Sequence, residues 1–358
     1  MALFKSLSVS RFRNIEQISL EPGARVNLIY GANGSGKTSL LEAVHVLATG
    51  KSFRSVRTTP LINNDSNELT VFTQLGDGTT IGLQKFRNRK PLLKLQGEKQ
   101  SNWVEVASLL PVQVLDSATF RLLEGSPRER RQFLDWGVFH VEPGFVHHWR
   151  NSRKCIANRN FLLKSANPDW SQIQAWNVEL SREAGEVDNA RQRYFQRFLP
   201  VFQDVFSKLA VVDDISLEYR RGWDADKDLI AVLRDNEQQD RRYGSTQFGP
   251  HRADILVKYD RLPASDVLSR GQQKMLVSAL KLAQGVLQSG AGDRQSIFLV
   301  DDLPAELDET NRTRICQFLQ QMQSQVFLTS VDDATLNNSL NRGVPVTKFH
   351  VEHGKITS

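Results

Sequence analysis

Residues 31–38 read Gly31-Ala32-Asn33-Gly34-Ser35-Gly36-Lys37-Thr38, a glycine-rich turn that runs straight into a lysine and a threonine. The spacing is Gly-x-x-x-x-Gly-Lys-Thr, a phosphate-cradling loop. Upstream, Val26-Asn27-Leu28-Ile29-Tyr30 predicts a short buried strand. Downstream, Ser39 to Ala48 predicts a helix with Leu40, Leu41, Val44 and Leu47 on one buried face. Glycines let successive backbone N–H groups turn toward phosphate oxygens, and the helix N-terminus adds partial positive charge. Gly31, Asn33, Gly34, Gly36, Lys37, Thr38 and Ser39 are therefore the candidate nucleotide ligands. Lys37 is expected to reach the β- and γ-phosphates, and the Thr38 hydroxyl to ligate Mg²⁺.

A P-loop of this kind needs an acidic partner. Ile297-Phe298-Leu299-Val300-Asp301-Asp302 is an apolar run ending in two carboxylates. Asp301 is placed to hold Mg²⁺ through water. Asp302 stands where a base can orient or deprotonate an attacking water.

A third stretch, Leu268-Ser269-Arg270-Gly271-Gln272-Gln273-Lys274, opens a helix with Leu276, Leu280, Leu282 and Val286 on its apolar face. Ser-x-Gly at a helix start is by itself an ordinary cap. Its position just before the acidic strand, which is followed by Glu306-Leu307-Asp308, gives it more weight. This order resembles the ABC-type ATPases. The resemblance implies an α/β fold with an ABC-type P-loop ATPase head: a mixed sheet with flanking helices and an antiparallel β subdomain. It also implies that Ser269, Gly271 and Gln272 of one copy cap the γ-phosphate held by the P-loop of another, with Asp308 among the nucleotide-binding residues. The expected state is an ATP-sandwich homodimer whose catalytic residues are Lys37, Asp301, Asp302 and Ser269.

Transporter subunits of that class are shorter between the two motifs and carry His where this chain has Ser330. SMC proteins carry far longer coiled coils. The start Ser10-Arg11-Phe12-Arg13-Asn14-Ile15 resembles the SMC-like Phe-Arg-Asn opening, which implies that Arg13 and Asn14 lie near the nucleotide base. Further blocks are Gly50-Lys51-Ser52-Phe53-Arg54, Arg130-Arg131-Gln132-Phe133-Leu134-Asp135-Trp136 and Phe248-Gly249-Pro250-His251-Arg252-Ala253-Asp254. With Asp301-Asp302-Leu303-Pro304-Ala305-Glu306-Leu307-Asp308 they resemble, end to end, the RecF family of bacterial recombination mediators. That resemblance implies an ATP-dependent clamp on duplex DNA at single-strand gaps and junctions, with weak DNA-stimulated hydrolysis. It further implies partnership with RecR and RecO, and loading of RecA onto DNA covered by single-strand-binding protein. Asp302 replaces the Glu usual in ABC enzymes, and the shorter carboxylate predicts slow turnover. The glutamine that contacts Mg²⁺ and water in the class is assigned to Gln113, within Leu109-Leu110-Pro111-Val112-Gln113-Val114-Leu115; the alternative is a strand residue facing outward.

Composition sets outer bounds. The 358 residues leave room for a head with an inserted arm. The expected segments are 1–115 and 240–358 as the two parts of the head, and 116–239 as a helical arm. Ser126-Pro127-Arg128-Glu129 predicts a capped helix start. One apolar stripe then runs through Phe145, Trp149, Ile156 and Leu163. A second runs from Ile173 through Trp176, Leu180, Ala184, Val187 and Tyr194 to Phe198, with Pro200 as its expected end. Cys155 and Cys316 are expected as reduced thiols. No apolar run suits a signal peptide or a membrane span, so a cytoplasmic protein without membrane partners is expected.

Net charge +6 and a pI near 9.3 suit a polyanionic partner. The candidate DNA contacts are Lys51, Arg54 and Arg57 after the first helix, and Lys85, Arg87, Arg89 and Lys90 after a hairpin turning at Gly76-Asp77-Gly78. Arg150, Arg153, Lys154 and Arg159 form a further basic group on a predicted helix. Such surfaces read backbone shape and charge rather than base sequence. His251 is expected to serve structure or DNA contact rather than catalysis. Competing readings are a P-loop kinase, which has no use for Ser269-Arg270-Gly271-Gln272, a transporter ATPase subunit, and a scaffold that uses ATP only as glue.

Overall fold

A computed structural model describes residues 3–55, 59–209, 212–291, 294–341 and 343–357. The chain divides into two compact units. The first comprises Met1–Thr119, Val205–Ala210 and Lys274–Ser358; the second comprises Phe120–Asp204 and Val211–Gln273.

The first unit holds two six-stranded sheets. In one, the strands Phe4–Phe12, Ile15–Leu20, Glu68–Leu75, Thr80–Phe86, Leu92–Leu95 and Glu98–Gln100 form an antiparallel meander-like sheet. Alternation decides its faces: Phe4, Leu7, Val9 and Phe12 are buried along the first strand. In the other, Val26–Tyr30 is flanked by Gln325–Ser330 and Val346–Glu352, all parallel. Ile297–Val300 and then Val112–Leu115 extend this sheet, again parallel, and Lys355–Thr357 closes the far edge as a hairpin. These central strands are buried on both faces, which is why they read as unbroken apolar runs. The helix Lys37–Thr49 and both sheets share one core containing Leu40, Leu41, Val44, Leu47, Phe4, Ile29, Leu299 and Phe327.

The second unit is mostly helical and interrupts the first along the chain. Pro127–Val141 starts at the capping box expected from sequence: Ser126 Oγ accepts from Arg128 N–H at 3.3 Å and donates to Glu129 at 2.5 Å. Phe145–Leu163 and Trp170–Leu209 follow, and Ile215–Arg220, Asp254–Tyr259 and Leu262–Pro263 form a small antiparallel sheet. The α/β head with an antiparallel β subdomain and an inserted helical arm is as expected.

Two expectations fail. Pro200 does not end its helix, which continues to Leu209. The apolar stripe persists through Phe202, Val205 and Leu209, all buried, and this packing outweighs the single backbone hydrogen bond a proline removes. The arm also does not stop at residue 239. Asp240 pairs inside the second unit with Arg159 at 2.7 Å, and Asp254–Tyr259 pairs there with Ile215–Arg220. The unit therefore runs to Gln273.

Among the described residues no helix is long and apolar enough to cross a membrane. Cys155 and Cys316 are free and buried.

Candidate functional site

In the parallel sheet the carboxyl ends of Val26–Tyr30, Ile297–Val300, Gln325–Ser330 and Val112–Leu115 lie along one edge. Ligands of such sheets bind there. Gly31 leaves the first of these strands at φ 150°, and an added Cβ would lie 2.1 Å from the Val351 carbonyl oxygen. Gly36 enters the helix at φ 120°. No residue with a side chain fits Gly31, and neither conformation suits one.

Asn14 laces the loop from behind. Its Nδ2 donates to Gly34 O at 2.8 Å, and its Oδ1 accepts from Ser39 Oγ at 2.8 Å. Gly354 N–H donates to Ser35 O at 2.8 Å from the C-terminal hairpin. Asn33 stands exposed on the rim. Lys37 arches over the turn, its Nζ donating to Gly31 O at 2.7 Å and Ala32 O at 3.0 Å. Burial pulls its ammonium below the usual lysine range, and Asp302 and Asp301 oppose that.

The acidic strand meets the loop directly. Thr38 Oγ1 donates to Asp301 Oδ1 at 2.9 Å. Burial holds the Asp301 carboxyl above the usual range, with Asp116 and Asp302 adding to the shift; the Thr329 and Thr38 hydroxyls pull the other way. Thr329 carries no motif in the sequence. In the structure its Oγ1 donates to Asp301 Oδ1 at 2.9 Å and accepts from Asp302 N–H at 2.8 Å. Asp116 is a second residue that pattern reading passed over. Leu115 O accepts from Asp301 N–H at 2.8 Å, which brings the next residue, Asp116, beside the pair.

These residues suit a magnesium nucleotide. Ser35 Oγ is buried in the loop without a partner, and the Thr38 hydroxyl and Asp301 carboxylate are a hard oxygen pair. Among the described residues no three His, Cys, Asp or Glu side chains converge on a metal site. Mg²⁺ commonly takes only one or two carboxylates beside substrate phosphates, so the pair suffices.

Gln113 is a correction. It is buried in the strand, in register with Phe298, about 10 Å along the strand from the Asp301 level at 3.3 Å per residue. Its Nε2 donates to Gln284 Oε1 at 3.0 Å, so it neither faces outward nor reaches Thr38 and Asp301. Arg13 is held by the buried Glu42, with Nη2 to Oε1 at 2.7 Å and Nε to Oε2. Ser52 also donates to Glu42, and Arg54 lies 3.8 Å from it. Arg13 and Asn14 thus spend their polar groups inside the chain.

In the second unit, Ser269 is exposed at the start of Arg270–Ala291. Gln272 Oε1 accepts from Ser269 N–H at 2.8 Å, and Gln272 N–H donates to Ser269 Oγ at 3.4 Å. This is a reciprocal capping box. The serine proton remains available to an outside acceptor. Arg270 is paired with Glu124. Asp308, in the first unit, caps Glu309–Gln321 by accepting from Asn311 N–H at 2.9 Å.

The basic groups divide sharply. Lys51 and Arg54 are exposed, and Arg57 lies outside the described residues. Lys85 is half-buried. Arg87 is occupied by Ser66 O at 2.8 Å and Asn63 O at 2.9 Å. Arg89 stacks over Phe86 at 3.5 Å, and Lys90 is exposed. Arg159 is 0% exposed and bound to Asn177, Thr246 and Asp240, so it cannot touch phosphate. Burial pulls His251 down to about 4, and its Nε2 bonds Thr246 O at 2.9 Å.

The RecF/RecN/SMC N-terminal domain model matches residues 3–356, which defines the class as the SMC-like ATPase heads. "DNA replication and repair protein RecF" of Pseudomonas aeruginosa strain LESB58 is 42% identical over 355 residues, 98% of this chain and 96% of that protein. The protein of the same name from Stutzerimonas stutzeri strain A1501 is 43% identical over 355 residues, 98% and 96% of the two chains. The chain belongs to the RecF family. A solved structure of "the recombination mediator protein RecF-ATPrS in RecFOR pathway" has the same fold, with a TM-score of 0.86 at 22% identity over 99% of this chain and 97% of that one. An SMC head bound to the C-winged helix domain of ScpA follows at TM-score 0.59 and 16% identity, over 99% and 96% of the two chains.

Proposed function

We propose that this protein is an ATP-dependent DNA clamp of recombinational repair, with weak, DNA-stimulated ATP hydrolysis. The observation that carries this reading is the 2.9 Å bond from Thr38 to Asp301, which joins phosphate loop and acidic strand in one site. Membership in the RecF family supports the repair role.

In this reading the loop N–H groups and Lys37 hold the nucleotide phosphates. Thr38 and Asp301 hold Mg²⁺, which when bound supplies Lewis-acid polarisation of the phosphoryl oxygens. Asp302 orients the attacking water. Ser269, with its backbone fixed by Gln272, donates its free proton to the γ-phosphate bound by a second copy, and Gly271 lets the backbone approach. Differential affinity of ATP for the closed pair then drives closure on DNA. Gapped or junction duplex as the preferred DNA, and RecR, RecO and RecA as partners, extend the same reading.

The test is molar mass in solution with and without ATP, Mg²⁺ and gapped duplex DNA. Wild type is expected to double in mass with ATP. Ser269→Arg is expected to bind ATP yet stay monomeric, since it puts bulk and charge where serine must meet phosphate. A Ser269→Arg protein that still dimerises with ATP would refute the sandwich. Phosphate transfer to a small metabolite, in place of DNA-stimulated hydrolysis, would favour a kinase.

A further inference from the structure

Asp302 has an unusual backbone. Its φ of 50° and ψ of 45° are left-handed, a region that crowds the Cβ of an L-residue. Something must hold it there.

The parallel register pairs Val300 with Leu328, so Thr329 comes level with the two aspartates that follow Val300. Its side chain is 1% exposed. The direction of its two hydrogen bonds follows from chemistry alone. A backbone N–H can only donate, so Thr329 Oγ1 accepts from Asp302 N–H at 2.8 Å. The hydroxyl's single proton is then left for Asp301 Oδ1, at 2.9 Å. The same Oδ1 also accepts from Thr38 Oγ1 at 2.9 Å. One hydroxyl therefore ties the carboxylate of Asp301 to the strained backbone of Asp302.

We propose that Thr329 is a positioning residue for the hydrolysis step, fixing Asp301 and Asp302 relative to each other. The inference rests on the ATPase reading above. It bears on turnover more than on binding: Lys37 makes its bonds to the loop carbonyls and Thr38 keeps its own bond to Asp301 Oδ1, whereas the backbone of Asp302 is held by Thr329.

The experiment compares Thr329→Val, which keeps shape and removes the hydroxyl, with Thr329→Ser, which keeps the hydroxyl. ATP affinity is measured by titration calorimetry, and hydrolysis by single turnover with saturating gapped DNA. Thr329→Val is expected to bind ATP like wild type and to hydrolyse it roughly 10- to 100-fold more slowly, the size of one hydrogen bond to a charged group. Thr329→Ser is expected to restore most of the rate. If Thr329→Val does not fold, Thr329→Ala against Thr329→Ser carries the same comparison. Wild-type turnover in the hydroxyl-free variant overturns the inference. So does a loss of ATP affinity that parallels the loss of rate, or a serine variant as slow as valine. A wild-type protein that hydrolyses no ATP removes the ATPase reading itself, a distinct result.

Discussion

Arg130 and Asp254 meet through two parallel bonds, Nε to Oδ1 at 2.8 Å and Nη2 to Oδ2 at 2.9 Å. Beside them Arg131 Nη1 donates to Ala253 O at 2.8 Å. Arg191, itself buried, bridges Asp135 and Pro250 O. The two sequence blocks at 130–136 and 248–254 are therefore one joint within the helical unit. Arg130, Arg131, Asp135 and Asp254 spend their polar groups on that joint.

The first prediction concerns this joint. The side chains of Arg130 and Asp254 are 15% and 14% exposed, so removing one partner leaves a poorly hydrated charge. Arg130→Met is expected to cost about 3 kcal/mol, read as a lower urea midpoint with an unchanged slope. The double variant Arg130→Met, Asp254→Leu should lose less than the sum of the single changes. A single variant as stable as wild type would make the pair a surface ornament.

A second prediction separates the proposed DNA contacts from arginines bound within the chain. Arg89 and Lys90 present their charge at the loop after Thr80–Phe86, whereas Arg87 is spent on three backbone carbonyls. Arg89→Glu and Lys90→Glu should each weaken binding to duplex DNA and lower the slope of log affinity against log salt by about one. Arg87→Glu should chiefly lower the melting temperature. If Arg87→Glu alone alters the salt slope, the assignment is reversed.

Why some of this could be read from sequence and some could not is a matter of range. The phosphate loop was legible because its chemistry is local: glycines, lysine and threonine act within one turn between a strand and a helix. Asp301 was legible for the same reason, as the end of an apolar strand. Gln113 was not, because its orientation depends on Gln284, a partner 171 residues away. Thr329 escaped notice because its role exists only once two strands are paired. Arg159 looked like one of four helical cations until the fold buried it against Asp240. The continuation past Pro200 is readable in principle, since Phe202, Val205 and Leu209 keep the stripe going and their burial outweighs the one hydrogen bond that proline removes.

The last prediction follows from three histidines whose pKa burial lowers. Burial pulls His140 from 6.5 to about 3 and His45 and His251 to about 4. His140 lies against the rings of Trp136 and Phe139, with centroids at 4.4 and 4.8 Å, and burial is what lowers it. Each native value lies below the unfolded one, so on acidification the unfolded chain takes up these protons first. Their contribution to stability is therefore complete above about pH 6.5 and declines as pH falls toward 4, and toward 3 for His140. Each histidine adds a slope of up to about 1.4 kcal/mol per pH unit in that window. Urea denaturation at pH 7, 6, 5 and 4.5 measures the slope. His140→Leu, which suits the aromatic surroundings, should flatten it by about one proton while leaving stability at pH 7 little changed. An unaltered slope in that variant would mean that His140 is already free to protonate in the folded protein.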